Sequence, residues 1–166
     1  MLDSYPLGEL LMGIAQISIA FVGFSAIIEV FRDRSRSERS QFENMLARTM
    51  IEFGFSALFL ALAPLIVFRY VSTQSTGTWQ AMTAVATMVL AAHFWIYLSR
   101  RSKLTNQAFL MPRVYRVWVI TTWGVILGSV VAVLGLLPPD AAFVGILIWL
   151  LASGSISFVV IVSALD

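Results

Sequence analysis

Residues 7–31 read LGELLMGIAQISIAFVGFSAIIEVF, and residues 32–43 read RDRSRSERSQFE. The first stretch is apolar apart from Glu9, Gln16, Glu29 and a few small residues, and it is long enough to be a membrane helix. About 20 apolar residues suffice to cross roughly 30 Å of hydrocarbon. The second stretch is polar and alternates in charge, so the border between them marks where the chain leaves the apolar layer.

Four more apolar runs follow, giving expected spans at 7–31, 46–68, 79–98, 117–137 and 141–165. The expected fold is therefore all-α: a single bundle of five transmembrane helices occupying residues 1–166, with no soluble domain. Composition agrees. Mean hydropathy is +0.87 with 59% apolar and 12% charged residues, whereas a soluble domain carries about 25% charged residues.

The charges orient these spans. Arg32, Arg34, Arg36, Arg39 and Arg48 lie around the first connection, and Arg100, Arg101, Lys103, Arg113 and Arg116 around the third. The other side holds Arg69 with Asp3, Glu9 and Asp140. Basic residues concentrate on the cytoplasmic side of membrane proteins, so the N-terminus is expected outside and the C-terminus in the cytoplasm. The first span has no basic residue before it and is longer than a signal-peptide core of about 7–15 residues. It reads as an uncleaved membrane helix. Short loops, the charge bias and the lack of an organellar presequence point to a bacterial inner membrane. The basic loops are expected to meet anionic lipid headgroups, and no basic module stands outside the spans to bind nucleic acid.

Several kinds of chemistry lack their residues. There is no cysteine, and the one lysine, Lys103, lies in a connection, so disulfides, thiolate metal sites and a retinal Schiff base are excluded. One histidine argues against a metal centre, although Glu29, Glu52 and His93 together resemble a weak site. Gly23-x-Ser25 and Gly54-x-Ser56 lack the second glycine of a rhomboid-type protease motif. No enzyme activity and no cofactor are expected.

What remains is a polar set inside the spans. Arg48 and Glu52 are four residues apart, on one helix face, and are expected to pair. Glu52 needs a further partner, for which His93 or Arg116 is expected. A charge at that depth costs roughly 2.5–3.5 kcal/mol on insertion scales unless it faces protein or water. Glu29, Ser18 and Ser25 share a stripe of the first helix, and Ser153 and Ser157 share a face of the fifth. Two readings stand side by side. Arg48, Glu52, Glu29 and Arg116 form a neutralised network that locks the bundle, or Glu52 and His93 line an aqueous vestibule, with a histidine that titrates in the physiological range.

Small residues set the expected helix packing, because lipid-facing apolar surface gives helices no reason to associate and close backbone approach does. Gly13, Gln16, Ala20 and Gly23 form one stripe of the first helix; Gly54 serves the second; Gly124 and Gly128, with Gly135 beyond, serve the fourth. Pro64 is expected to kink the second helix. Trp79, Trp118 and Trp149 are expected as partial interfacial anchors. The tetrapeptide Gly-Phe-Ser-Ala occurs at 23–26 and again at 54–57. Val22-Gly23-Phe24-Ser25-Ala26-Ile27-Ile28 resembles a glycine–aromatic–serine stretch in the first helix of small uncharacterised bacterial polytopic membrane proteins. That resemblance covers about a tenth of the chain and implies no activity.

The functional expectation is a homo-oligomer that forms or lines an ion-conducting pathway, with cations favoured over anions by the acidic residues near its inner mouth. The lining would come from Gln16, Ser18, Ser25, Glu29, Glu52, His93, Ser153 and Ser157. The alternative is an accessory or scaffolding subunit of a larger membrane complex with no pathway of its own. The two differ in whether these polar groups face a shared axis or are satisfied within one bundle.

Overall fold

The computed structural model describes residues 6–33, 41–70, 75–102 and 112–163, with side chains over 7–27, 44–69, 75–102 and 114–160. Among the described residues there are five α-helices: α1 (Pro6–Asp33), α2 (Gln41–Tyr70), α3 (Thr76–Ser102), α4 (Pro112–Val133) and α5 (Pro139–Ser163). All five are long and apolar enough to cross a membrane.

Local chemistry accounts for the helix ends. Pro6, Pro112 and Pro139 each open a helix, where the missing N–H would have had no partner. The Ser75 hydroxyl caps α3 by accepting the Thr78 N–H at 3.2 Å. α4 stops at Val133 and not at Leu137, because Gly135 takes φ +80. There the Leu136 N–H bonds the Val131 carbonyl at 3.1 Å and the Gly135 N–H bonds the Ala132 carbonyl at 3.0 Å, the two bonds of a Schellman stop. Gly135 is therefore a helix terminator, not part of a packing stripe. α2 continues through Pro64, whose ring is buried. At the basic end the helices outrun the apolar segments: α3 carries Arg100 and Arg101 in its last turn.

α5 is the hub of the bundle and packs on each of the other four helices. Its Phe143, Ile146, Leu147 and Leu150 are at most 1% exposed and form one i, i+3, i+4, i+7 stripe. α2 packs on α1, α3 and α5, and α4 on α3 and α5. Among the described residues α1 has no contact with α3 or α4, and α2 has none with α4. Outward faces are apolar: Ile17, Phe59, Met88, Trp95, Ile120 and Val159 are all more than half exposed. Such a surface suits hydrocarbon and not water.

Aromatic residues cluster inside each end. Trp79 sits between Phe68 and Phe143, with ring centroids 5.1 and 5.7 Å apart. Trp118 packs on Phe94 and Tyr97 at 5.7 and 4.8 Å. Both tryptophans are buried, so neither is the interfacial anchor expected of it. Each ring fills space between helices that short side chains would leave empty.

The glycines divide sharply. A Cβ at Gly54 would lie 2.5 Å from Val22 Cγ2, and one at Gly154 would lie 2.9 Å from Phe21 Cε1. These two glycines seat α1 against α2 and α5. Around Gly13, Gly23, Gly124 and Gly128 a Cβ would meet nothing within 4 Å. Of the two roles open to these small residues, packing within the bundle or joining protomers, none of the four seats a neighbouring helix of its own chain, and helix phase gives the reason. α4 buries Trp118, Thr122, Ile126 and Ser129, and α1 buries Leu11, Ile14, Ala15, Ser18 and Ser25. The four glycines sit about two residues out of phase with those stripes, on the far side of a 3.6-residue turn. The repeated tetrapeptide is not a repeated role, since Gly54 is clamped and Gly23 is open.

Candidate functional site at the basic end

Two polar constellations occupy the end of the bundle where α2 begins and α3 finishes. The first centres on Glu52. Arg48 Nε donates to Glu52 Oε1 at 2.8 Å from one turn earlier on α2. Arg100 on α3 donates through both terminal nitrogens, to Oε2 at 2.9 Å and Oε1 at 3.0 Å. This two-point geometry is the strongest a guanidinium and carboxylate can make. The Glu52 and Arg100 side chains are 26% and 28% exposed, against 69% for Arg48. The Arg100 pair, shielded and two-pronged, ties α2 to α3; the Arg48 pair is solvated at its edge.

The further partner of Glu52 is thus Arg100, and neither His93 nor Arg116. His93 Nε2 instead shares a 2.6 Å hydrogen bond with Ser56 Oγ, and its ring stands edge-on to Phe53 at 5.2 Å. Arg116 is exposed on α4, a helix that does not touch α2. The reason lies in helix length. Once α3 runs through Ser102, Arg100 falls two turns beyond His93 on the face that meets α2.

The second constellation is a half-open cavity of about 70 Å³ in the gap between α2 and α4, walled on its other sides by α3 and α5. Its polar lining is Thr49, Ser153, Ser157, Tyr97, Tyr115 and Arg101; Leu46, Phe53, Trp118 and Val160 are among its apolar walls. Trp118 Nε1 donates to Ser153 Oγ at 3.0 Å. Thr49 and Ser157 donate to the carbonyls of Met45 and Ser153 at 2.8 and 3.1 Å. The Arg101 guanidinium lies 3.2 Å above the Tyr115 ring, an attractive stacking geometry.

The remaining polar residues singled out in the sequence do not converge. Ser18 and Ser25 are buried and donate to the carbonyls of Ile14 and Phe21 on their own helix, at 2.8 and 2.6 Å. Gln16 is exposed on the outward face of α1. Glu29 lies outside the residues whose side chains are described. α1 is separated from His93 by α2 and α5, so its serines and His93 share no lumen within one chain. Sequence reading missed Ser56, Tyr97, Arg100, Arg101 and Tyr115. Arg100 and Arg101 left a trace there as basic residues beside the third connection, and Ser56 as part of Gly54-x-Ser56, none with this role.

Glu52 has both oxygens engaged by arginines and His93 is engaged by Ser56, which leaves neither arranged as a metal ligand. Among the described residues no group of three or more His, Cys, Asp or Glu stands together. The fold and its polar end define a multi-pass helical bundle fitted to a membrane. No protein-family model matches the chain, and neither a curated protein nor a solved structure is similar to it.

Proposed function

We propose that this protein is an accessory or scaffolding subunit of a bacterial inner-membrane assembly, with its N-terminus outside, its C-terminus cytoplasmic and no ion pathway of its own. The observation that carries this reading is internal satisfaction. Glu52 is closed by Arg48 and Arg100, His93 by Ser56, and the hydroxyls of Ser18, Ser25 and Ser157 by carbonyls of their own helices. A conducting pathway needs polar groups turned toward a shared axis.

Association is supported by the outward stripe of α1. Gln16 is exposed amid Gly13, Ala20 and Gly23, inside a segment apolar enough to span. An amide facing lipid leaves its hydrogen bonds unmade, and small neighbours allow another helix to approach and supply them. The partner is a second copy or another membrane chain.

The same stripe is the observation that favours a conducting homo-oligomer, if several copies turned Gln16 toward one axis. Purified protein reconstituted in liposomes separates the readings. A scaffold leaves potassium and proton gradients intact at every protein-to-lipid ratio. Cation flux abolished by Gln16→Leu would overturn the scaffold reading in favour of the pore.

A further inference from the structure

Gln16 stands one residue from the middle of the Leu7–Ile27 span and is exposed on the outward face of α1. Among the described residues its amide makes no hydrogen bond. α1 touches only α2 and α5 there, so its own chain does not cover this face. The bilayer core offers no water to the amide, and either surface is about 15 Å away, beyond the reach of the side chain. Two N–H donors and a carbonyl acceptor are thus left unmet in hydrocarbon, which is costly. The exposed hydroxyls inside α4 and α5 do not share this need. Thr121 and Ser155 donate to carbonyls of their own helices at 2.7 and 2.9 Å, and both lie nearer the basic end than the middles of their spans.

We infer that Gln16 is met by the Gln16 of a second copy, in a twofold α1–α1 contact. Two copies inserted with the same orientation are related by an axis along the membrane normal, which keeps every residue at its own depth. A mid-depth group on that axis faces its own counterpart. A carboxamide complements itself, because each copy supplies the donor and the acceptor that the other lacks. Gly13, Ala20 and Gly23 share the face of Gln16, at i−3, i+4 and i+7. A Cβ at Gly13 or Gly23 would meet nothing within 4 Å, so a second backbone can come close enough for the two amides to reach each other. Glu9 lies on this face too, two turns toward the end opposite the basic residues. A right-handed crossing of about −40° at small residues separates the copies there, at the water edge. The inference rests on the reading of α1 as the assembling face and names what covers it.

The chain has no cysteine, so single cysteines report contacts without background. In native membranes treated with copper–phenanthroline, Gly13→Cys and Ala20→Cys should form disulfide-linked dimers. Met88→Cys and Ile120→Cys, at positions 63% and 69% exposed on α3 and α4, should not. Native mass spectrometry of the full chain in a mild detergent should show two chains per particle. Across a dilution series, Gln16→Leu should weaken the dimer roughly 3- to 30-fold, the range of an interhelical hydrogen bond in a membrane. Gln16→Asn should keep most of the association. The melt of the single chain should stay close to wild type in both, which separates lost association from lost folding. An unweakened Gln16→Leu dimer would overturn the twofold pair. So would cross-links as strong from Met88→Cys as from Gly13→Cys, or particles of one chain or of more than two. Liposomes tell this failure from that of the scaffold reading. A single chain that leaves ion gradients intact overturns the pair alone, and a dimer that conducts upholds the pair and overturns the scaffold.

Discussion

Arg100 and Glu52 meet head to head across α2 and α3, with both oxygens of the carboxylate bonded by the two terminal nitrogens of one guanidinium at 2.9 and 3.0 Å. α2 packs less extensively on α3 than on α5. The pair and the Ser56–His93 hydrogen bond are polar ties across that junction. Removing one partner strands the other's charge in a partly apolar setting, which is worse than removing both.

Glu52→Leu and Arg100→Leu should each lower stability by about 1–3 kcal/mol. The double variant should lose less than the sum of the two, because neither partner is then stranded and Arg48, which also loses Glu52, is solvated. Arg48→Ala should cost under about 0.5 kcal/mol, since that pair is solvated. Thermal melts in detergent read all four. Additive losses in the double variant would show that the two residues act separately.

The seat of α1 depends on two glycines and not on the others. Gly54→Val and Gly154→Val should each destabilise by about 1–3 kcal/mol through overpacking against Val22 and Phe21. Gly124→Val and Gly128→Val should leave the melting of the isolated chain close to wild type. If the outward faces serve assembly, Gly13→Leu should reduce cross-linking between chains without changing that melt.

At the opposite end, Thr83 Oγ1 donates to the Pro139 carbonyl at 2.7 Å, and the threonine is fully buried. Thr83→Val keeps the shape and strips the buried Pro139 carbonyl of its second hydrogen bond, leaving only the one from its own helix. A loss of about 1–2 kcal/mol is expected, whereas Thr83→Ser should restore most of it. A melt of Thr83→Val equal to wild type would mean that the carbonyl finds water.

Orientation is checked by reporters. A fusion after Asp166 should be active in the cytoplasm and one before Leu2 outside, as the ten-to-one division of basic residues demands. A periplasmic C-terminal reporter would reverse the orientation.

Five spans were legible in the chain because hydrophobic length is a local property: a run such as 141–165 needs no neighbour to declare itself. The Arg48–Glu52 pair was legible for the same reason, since i and i+4 share a face in any helix. The α4 terminus was misjudged because apolar residues continue to Leu137, and only the positive φ of Gly135 ends the helix. What tertiary structure alone decided is which face of each helix turns inward. Membrane helices are apolar all round, so sequence carries little amphipathic signal to choose between the Gly124 face and the Thr122 face. That choice fell to the packing of large side chains, with Trp118 and Phe143 filling the interior. It also decided that Glu52 meets Arg100 and not Arg116, since a long-range pair exists only once the helices' order, length and phase are set together.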